Sequence, residues 1–339
     1  MSKEPKIDIG QRISEKDLCP EELLQNQIEA YMRDIKKLQR KKDSFVKVNC
    51  PACNSKHYDY EFKKYDFSFQ RCKICQTIFM SPRPTSKIMA EYYSNSENYQ
   101  YWSKYIFPIS DKVRKNHIQK LWYSRIKSYV ENKNKKHKSL LEIGSGFGTF
   151  GSLVSSSNFF YEYVGIEPSP ELYLECKSKG LRVFNERLES FKYKKKFDIA
   201  VSFEVIEHIF NPKVFLLKIN NLLKSKGLVF LSCPNGQGFD IKILKERSQA
   251  IDSEHVNLFN PSSIGLILER TGFRLCDVFT PGRLDAEIVR DEVIKNNFKV
   301  DDFLKKILVD KWEEMGWSFQ KFLASNNLSS HMWVIAEKK

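Results

Sequence analysis

The residues with the clearest chemical capacity lie between positions 142 and 167. Glu142 and Ile143 end a short apolar run, and glycines follow at 144, 146 and 148. Glycine there admits positive φ and lets backbone N–H groups come close to a ligand. The chain from Thr149 onward can turn helical and present the positive end of its dipole to whatever lies over the loop. Glu167 ends a second apolar run at 163–167, about twenty residues past the glycines, where a carboxylate can accept from both hydroxyls of a ribose. The pattern implies a nucleotide-type α/β sheet. A dinucleotide string, G-x-G-x-x-G, is matched from Gly146 to Gly151. The strand has already ended by Gly144, however, so that match starts too late.

A second constellation is Cys50-Pro51-Ala52-Cys53 followed by Cys72-Lys73-Ile74-Cys75, a C-x₂-C-x₁₈-C-x₂-C spacing. Each pair forms a knuckle whose two thiolates converge, and two knuckles complete a tetrahedral Cys₄ zinc site. Four thiolates leave no open position, so the zinc is expected to be structural and folding of the small module to depend on it. The aromatic and acidic stretch 58–70 between the pairs suits a β-hairpin. A redox pair is the rival reading, and two matched pairs argue against it. His57 lies near the ribbon and reads as a surface residue.

Two further clusters carry titratable groups. Phe203-Glu204-Val205-Ile206-Glu207-His208 follows the apolar run 197–202, and on a helix Glu204 and His208, four apart, share a face. Glu254-His255-Val256-Asn257-Leu258-Phe259 stands further on. The plainer reading of His208 is a buried histidine bonded to backbone.

Together these residues resemble the class I S-adenosylmethionine-dependent methyltransferases. Glu142-x-Gly144-x-Gly146-x-Gly148 resembles their motif I. The E-x-x-E-H element at 204–208 and the E-H-x-x-x-F-x-P-x-S segment at 254–263 resemble the ubiquinone-type O-methyltransferases. The resemblance implies S-adenosylmethionine as cofactor, with its ammonium near Glu142, its ribose on Glu167-Pro168, and its adenine near Arg187 and Leu188. The common Asp-Ala pair at that last place is replaced. Phe203 and Glu204 complete the expected cofactor set. If the acceptor is a hydroxyl, a general base helps, and His255 and His208 are the candidates, His255 favoured by its place at the C-terminal edge of the sheet, with Glu204 the third residue of the expected catalytic set. Glu204, Glu207 and His208 are an alternative divalent-cation set.

The elements that position these residues follow from periodicity and the resemblance. Strands are expected at 139–143, 163–167, 181–184, 197–202, 228–232 and 274–279, with an antiparallel closing strand at 332–336. That makes an α/β, Rossmann-like seven-stranded methyltransferase sheet. Residues 1–45 read as a tail, disordered over 1–15, and an amphipathic helix in which Leu23, Leu24, Ile28, Tyr31, Ile35 and Leu38 recur at helical spacing and Asp17 is a cap. One such helix must pack on a neighbouring domain or a second subunit, so a homodimer through it is an expectation. Residues 46–85 are the zinc ribbon and 86–138 a helical and aromatic lead-in. The methyltransferase domain is expected over 139–339, with a helical insert near 286–327. Tyr99, Tyr101 and Trp102 are expected to roof the pocket or to pack between ribbon and core.

A chain of 339 residues with 41% hydrophobic composition can bury a full core. No apolar run is long enough to span a membrane, and the N-terminus lacks a signal-peptide core, so a cytoplasmic enzyme is expected, its eight cysteines thiols or metal ligands. The net charge of +14 invites a nucleic-acid partner, but the lysines are spread along the chain and their densest runs, 133–138 and 192–196, fall in expected loops. No Asp/Asn-Pro-Pro-Tyr/Phe element follows the 197–202 strand, which counts against DNA. The acceptor is expected to be a small hydroxylated molecule: a sugar, nucleotide sugar or glycan, as for similar ribbon-bearing enzymes of bacterial surface-polysaccharide pathways. A zinc-ribbon RNA base methyltransferase is the alternative, and a catalytically idle binding scaffold a third reading.

Overall fold

The computed structural model describes residues 8–133 and 138–339. The strands in chain order are β1 (Tyr58–Lys64), β2 (Phe67–Cys72), β3 (Ile78–Met80), β4 (Ser139–Ile143), β5 (Glu162–Ile166), β6 (Val183–Phe184), β7 (Phe197–Phe203), β8 (Leu223–Pro234), β9 (Asn257–Leu258), β10 (Phe273–Phe279) and β11 (His331–Lys338). Seven of them form one sheet in the order β10-β11-β8-β7-β4-β5-β6. Strands β4 to β8 run parallel, and β11 runs antiparallel to both β8 and β10. The expected α/β fold class and antiparallel closing strand are therefore present.

The central strands are apolar on both sides because both sheet faces are covered. Leu141, Ile143, Ala200, Val229 and Leu231 face one core, and Leu140, Ile199, Val201, Phe230 and Trp333 the other. Chain order reverses between β4 and β7. At such a switch point the connecting loops diverge and leave a crevice at the strands' C-terminal ends. The glycine loop leaves β4 there, and Glu204 leaves β7.

The ribbon hairpin β1–β2 turns through Tyr65 and Asp66, both at positive φ. Its sheet has the order β1-β2-β3-β9: the last strand, Asn257-Leu258, is lent by the segment after β8. Cys50, Ala52, Cys72 and Phe79 belong to the same apolar cluster as Leu141 of the large sheet and Phe215 of the helix Pro212–Leu222.

The helix Glu21–Gln39 buries Ile35 and Leu38 against Phe62, Phe67 and Phe69 of the ribbon, so it finds its neighbour within the chain. Leu24 and Ile28 of the expected stripe are exposed. Pro20 separates this helix from a short one, Glu15–Leu18, at which Ser14 and Asp17 form a capping box. Asp17 thus helps cap a different helix from the one expected. The reading of 1–15 as disordered is corrected for residues 8–15: Ile9 and Ile13 are both 5% exposed, and Arg125 and Arg283 bind the carbonyls of Asp8 and Gln11. Residues 1–7, and 134–137 of the 133–138 lysine run, lie outside the described residues. The segment after β10 folds into helices Asp285–Lys295, Asp302–Lys305 and Trp317–Ser325, and Ala286, Val289, Leu308 and Trp312 make an apolar cluster with Leu244.

Candidate active site

The glycine loop takes the backbone shape that its sequence permits. Gly144, Gly146 and Gly148 have φ of 80°, 53° and 75°. A Cβ on Gly144 would stand 2.6 Å from Val205 Cγ2, whereas one on Gly146 would meet nothing within 4 Å. The loop is thus packed from behind and open in front, a cradle that backbone N–H groups can offer to a ligand. Gly148 N-caps the helix Thr149–Ser155. Phe147 stacks on Phe107 at 5.3 Å and lies under the Lys179 ammonium. Trp102 packs on Phe107 in turn, so one of the three expected roof aromatics reaches the loop through a neighbour.

Glu167 is 5% exposed. Its two oxygens accept from the N–H groups of Gly146 (2.8 Å) and Ser169 (2.9 Å). Burial pushes its pKa up to about 7, against the opposing pull of those two bonds. Each oxygen keeps a lone pair for a diol. Glu142, 3% exposed, accepts from the Tyr163 hydroxyl, which also meets Ser145 Oγ at 3.3 Å. Burial raises its pKa to about 8. Pro168 is exposed and its carbonyl accepts from Asn185. Arg187 reaches the Ser86 carbonyl. Leu188 buries its side chain in the core, which leaves only its backbone for a ligand.

The E-x-x-E-H stretch departs from the expected helix. Glu204 sits at φ 54° with its N–H on the Ser232 carbonyl, and only Ile206–His208 makes a helical turn. Glu204 and His208 therefore do not share a helical face. Glu204 Oε1 instead accepts from Ser232 Oγ (2.6 Å) and pairs with His331 Nε2 (2.9 Å). Burial would raise its pKa, but His331 and Ser232 outweigh it and hold the carboxyl below its ordinary value. Phe203 packs on both Trp122 and Trp333, which also touch each other. His331 had no signal in the sequence beyond preceding the last strand.

Glu207 is fully buried, and among the described residues neither of its carboxylate oxygens has a hydrogen-bond partner. Burial, then the Glu204 charge, pushes its pKa well up. Nδ1 of His208 meets the Tyr93 hydroxyl at 3.2 Å, and burial drives its pKa far down. His255 stands 4.7 Å from His208, ring to ring, with Nδ1 at 2.9 Å from the Ala250 carbonyl. That bond fixes the proton on Nδ1 and leaves Nε2 as an acceptor. Ligand atoms of Glu207, His208 and His255 lie within 4.8 Å of one another. The cation set expected from sequence is corrected accordingly: His255 takes the place of Glu204. Tyr99 and Tyr92 both donate to Glu254 (3.0 and 2.7 Å), and Tyr101 packs on Tyr105.

The four ribbon cysteines converge as their spacing requires. Cys50 and Cys75 sulfurs are 3.4 Å apart, as are those of Cys53 and Cys72, and all four lie within 4.8 Å of one another. A tetrahedral zinc with bonds of about 2.3 Å needs sulfurs roughly 3.8 Å apart. The knuckles are alike: the residue after each second cysteine, Asn54 and Gln76, has positive φ and donates its N–H back to the first cysteine's carbonyl. The residues fit zinc. His57 is exposed and outside the cluster.

A cavity of about 240 Å³ opens beside Glu204 and His331, bounded by Ile13, Trp122, Ile288 and the two arginines Arg125 and Arg283.

Residues 115–278 match the family model described as "Methyltransferase domain". The chain is 28% identical over 104 residues to (S)-coclaurine N-methyltransferase of Papaver somniferum, covering 29% of this chain and 30% of that protein. It is 24% identical over 221 residues to an uncharacterized protein of Methanocaldococcus jannaschii, covering 63% of this chain and 92% of that one. It spans under a third of the first relative and most of the second. Among solved structures it is similar to an S-adenosylmethionine-dependent methyltransferase from Clostridium acetobutylicum (12% identity, 70% of this chain and 98% of that chain, TM-score 0.46). It is also similar to magnesium protoporphyrin IX methyltransferase from Synechocystis with bound S-adenosylhomocysteine (11% identity, 75% and 100%, TM-score 0.47). Residues 115–278 thus match a methyltransferase domain, and they hold the glycine loop and the parallel strands β4 to β8 of the sheet. Among the described residues no helix is long and apolar enough to cross a membrane.

Proposed function

We propose that the chain transfers a methyl group from S-adenosylmethionine to a hydroxyl of a small acceptor, a sugar, nucleotide sugar or glycan end. The observation that carries the cofactor assignment is the open cradle at Gly146 beside Glu167, at the point where β4 and β7 diverge. Glu142, Gly144, Ser145, Gly146, Phe147, Gly148, Glu167, Pro168, Arg187, Leu188, Phe203 and Glu204 surround the cofactor in this reading. S-adenosylmethionine supplies an activated methyl carbon with a built-in leaving group. The protein's contribution is alignment, worth up to about 7–11 kcal/mol in favourable cases, together with a proton acceptor. His255, with Nε2 free, takes that part, and His208, tied to Tyr93, holds its ring in place. Cys50, Cys53, Cys72 and Cys75 hold a structural zinc.

The test is methyl transfer from labelled cofactor to a panel of sugars, nucleotide sugars and RNA fragments, beside calorimetry on Glu167→Ala. The variant is expected to lose at least about 1.5 kcal/mol of cofactor affinity, the scale of a charged hydrogen bond. Unchanged affinity removes the Glu167 assignment. Tight RNA binding that weakens steeply with salt, with no sugar turned over, replaces the small-molecule reading by the RNA one.

A further inference from the structure

The cavity beside Glu204 is lined by three acids and by two arginines that, among the described residues, have no carboxylate partner. Asp285 accepts from Gln320, Ser329 and Ser330. Asp240 accepts from Ser248 through Oδ2 while its buried Oδ1 has no partner among the described residues, and Glu204 is paired with His331. Arg125 and Arg283 both line the cavity. Each donates to a backbone carbonyl of the N-terminal segment, Arg125 to Asp8 and Arg283 to Gln11, and a guanidinium has five N–H donors. Among the described residues no carboxylate lies within ion-pair distance of either. The nearest acid felt by both is Asp8, an exposed residue whose Oδ1 is engaged by the Gly10 N–H.

The rest of the lining is apolar. Ile13 and Leu18 come from the N-terminal segment, Leu121 and Trp122 from the helix Lys120–Asn132, and Ile288 from the helix Asp285–Lys295. A cavity with apolar walls and a few convergent polar groups is the usual form of a small-ligand site, though about 240 Å³ is just below the common range, which starts near ~300 Å³. Glu204, one of its lining residues, directly follows the C-terminal end of β7, the edge of the sheet at which the glycine loop also stands.

We propose that this cavity is the acceptor site, and that Arg125 and Arg283 bind an anionic group of the acceptor, a phosphate or a carboxylate, so that the acceptor is a small anionic molecule such as a sugar phosphate, sugar acid or nucleotide sugar. This rests on the methyltransferase reading and narrows its acceptor. Two guanidiniums give an oxyanion paired, charge-assisted donors of the kind that discriminates strongly against a neutral analogue. In the reaction the acceptor oxygen bonds to the methyl carbon as the carbon–sulfur bond breaks. The bonding pair stays on sulfur, giving S-adenosylhomocysteine, and the hydroxyl proton passes to a histidine.

The experiment uses the full chain. Calorimetry with S-adenosylhomocysteine comes first, and its failure removes the methyltransferase reading and this inference together. With S-adenosylhomocysteine saturating, glucose 6-phosphate, glucuronate, UDP-glucose and neutral glucose are titrated in turn. At least one anionic probe is expected to bind about tenfold or more tightly than glucose. The anionic probe that binds identifies the phosphate or the carboxylate as the group recognised. Arg125→Gln and Arg283→Gln are each expected to weaken that probe about tenfold with S-adenosylhomocysteine affinity unchanged, and Arg125→Lys to recover part of the loss. A purely structural role for the arginines would lower the unfolding temperature of the Gln variants and leave the preference for anions intact. Glucose binding as well as its charged relatives overturns the inference and leaves the cofactor reading standing. So does the absence of binding by every anionic probe, or a Gln variant that folds and binds the probe like the wild type.

Discussion

Glu142→Gln separates the charge of the carboxylate beneath the glycine loop from its shape. Glutamine keeps an acceptor for the Tyr163 hydroxyl and cannot ionise. In the wild type burial holds Glu142 near pKa 8, against 4.5 in the unfolded chain. The folded pKa is the higher one, so the group's contribution is fully present below pH 4.5 and is lost as pH rises through 8. One unit is about 1.4 kcal/mol. Relative to strongly acidic conditions the ionising residue has cost about 1.4 kcal/mol by pH 5.5 and about 4 kcal/mol by pH 7.5. The stability of Glu142→Gln relative to wild type is therefore expected to rise by about 2.5 kcal/mol between those two pH values. Urea unfolding of the cofactor-free proteins at pH 5.5, 6.5 and 7.5 measures it, with equal slopes confirming that both unfold to the same state. Glu167 and Glu254, each raised by burial to about 7, titrate in the same direction in both proteins and cancel from the difference. Parallel curves for the two proteins would refute the placement of an ionisable, desolvated carboxylate at 142.

Metal analysis is expected to find one zinc per chain, and Cys72→Ser, which removes a fully buried ligand, to lose the metal and unfold the ribbon; a metal-free chain with intact near-ultraviolet dichroism would show the spacing argument wrong. His255→Ala is expected to cut turnover about 10²–10⁴-fold with cofactor affinity nearly intact in calorimetry, and equal turnover would move the proton acceptor elsewhere. Asn257→Ala strips three carbonyls and the Arg83 guanidinium of a buried partner and is expected to destabilise the chain by about 3 kcal/mol or more in urea unfolding, a result within about 0.5 kcal/mol of wild type counting against that network.

What was legible in the sequence was what backbone constraint or metal geometry writes locally. Glycines at 144, 146 and 148 mark the loop because the positive φ they adopt is poorly tolerated by other residues. The four cysteines mark their own convergence. The long apolar strands declared the sheet. What was missed depends on contacts distant in sequence or on backbone shapes contrary to propensity. Glu204 is 127 residues from His331, and a glutamate at φ 54° is not something a helical E-x-x-E-H pattern suggests. The pairing of β9 with β3 involves only Ile78, Phe79, Asn257 and Leu258, too few residues to show periodicity. Ile9 and Ile13 stand singly among polar residues, so only their burial in the fold reveals that the N-terminal segment packs.

The ribbon also braces the reacting end of the sheet. The Cys₄ cluster is continuous through β2 and β3 with β9, and β9 carries Asn257. Its amide donates to the carbonyls of Ile206, Glu207 and Ile209, and its Oδ1 accepts from Arg83 at 2.8 Å. Arg83, 1% exposed, also reaches the Phe210 carbonyl. The short turn that presents Glu207 and His208 is too brief to hold itself by helical hydrogen bonds. It is held instead by Asn257, which Arg83 in turn fixes through its Oδ1. Two residues before Asn257 on the same segment stands His255, 4.7 Å from His208. The ribbon therefore sets the relative positions of the two histidines, because a loosened β3 would free Asn257 and with it both sides of that contact.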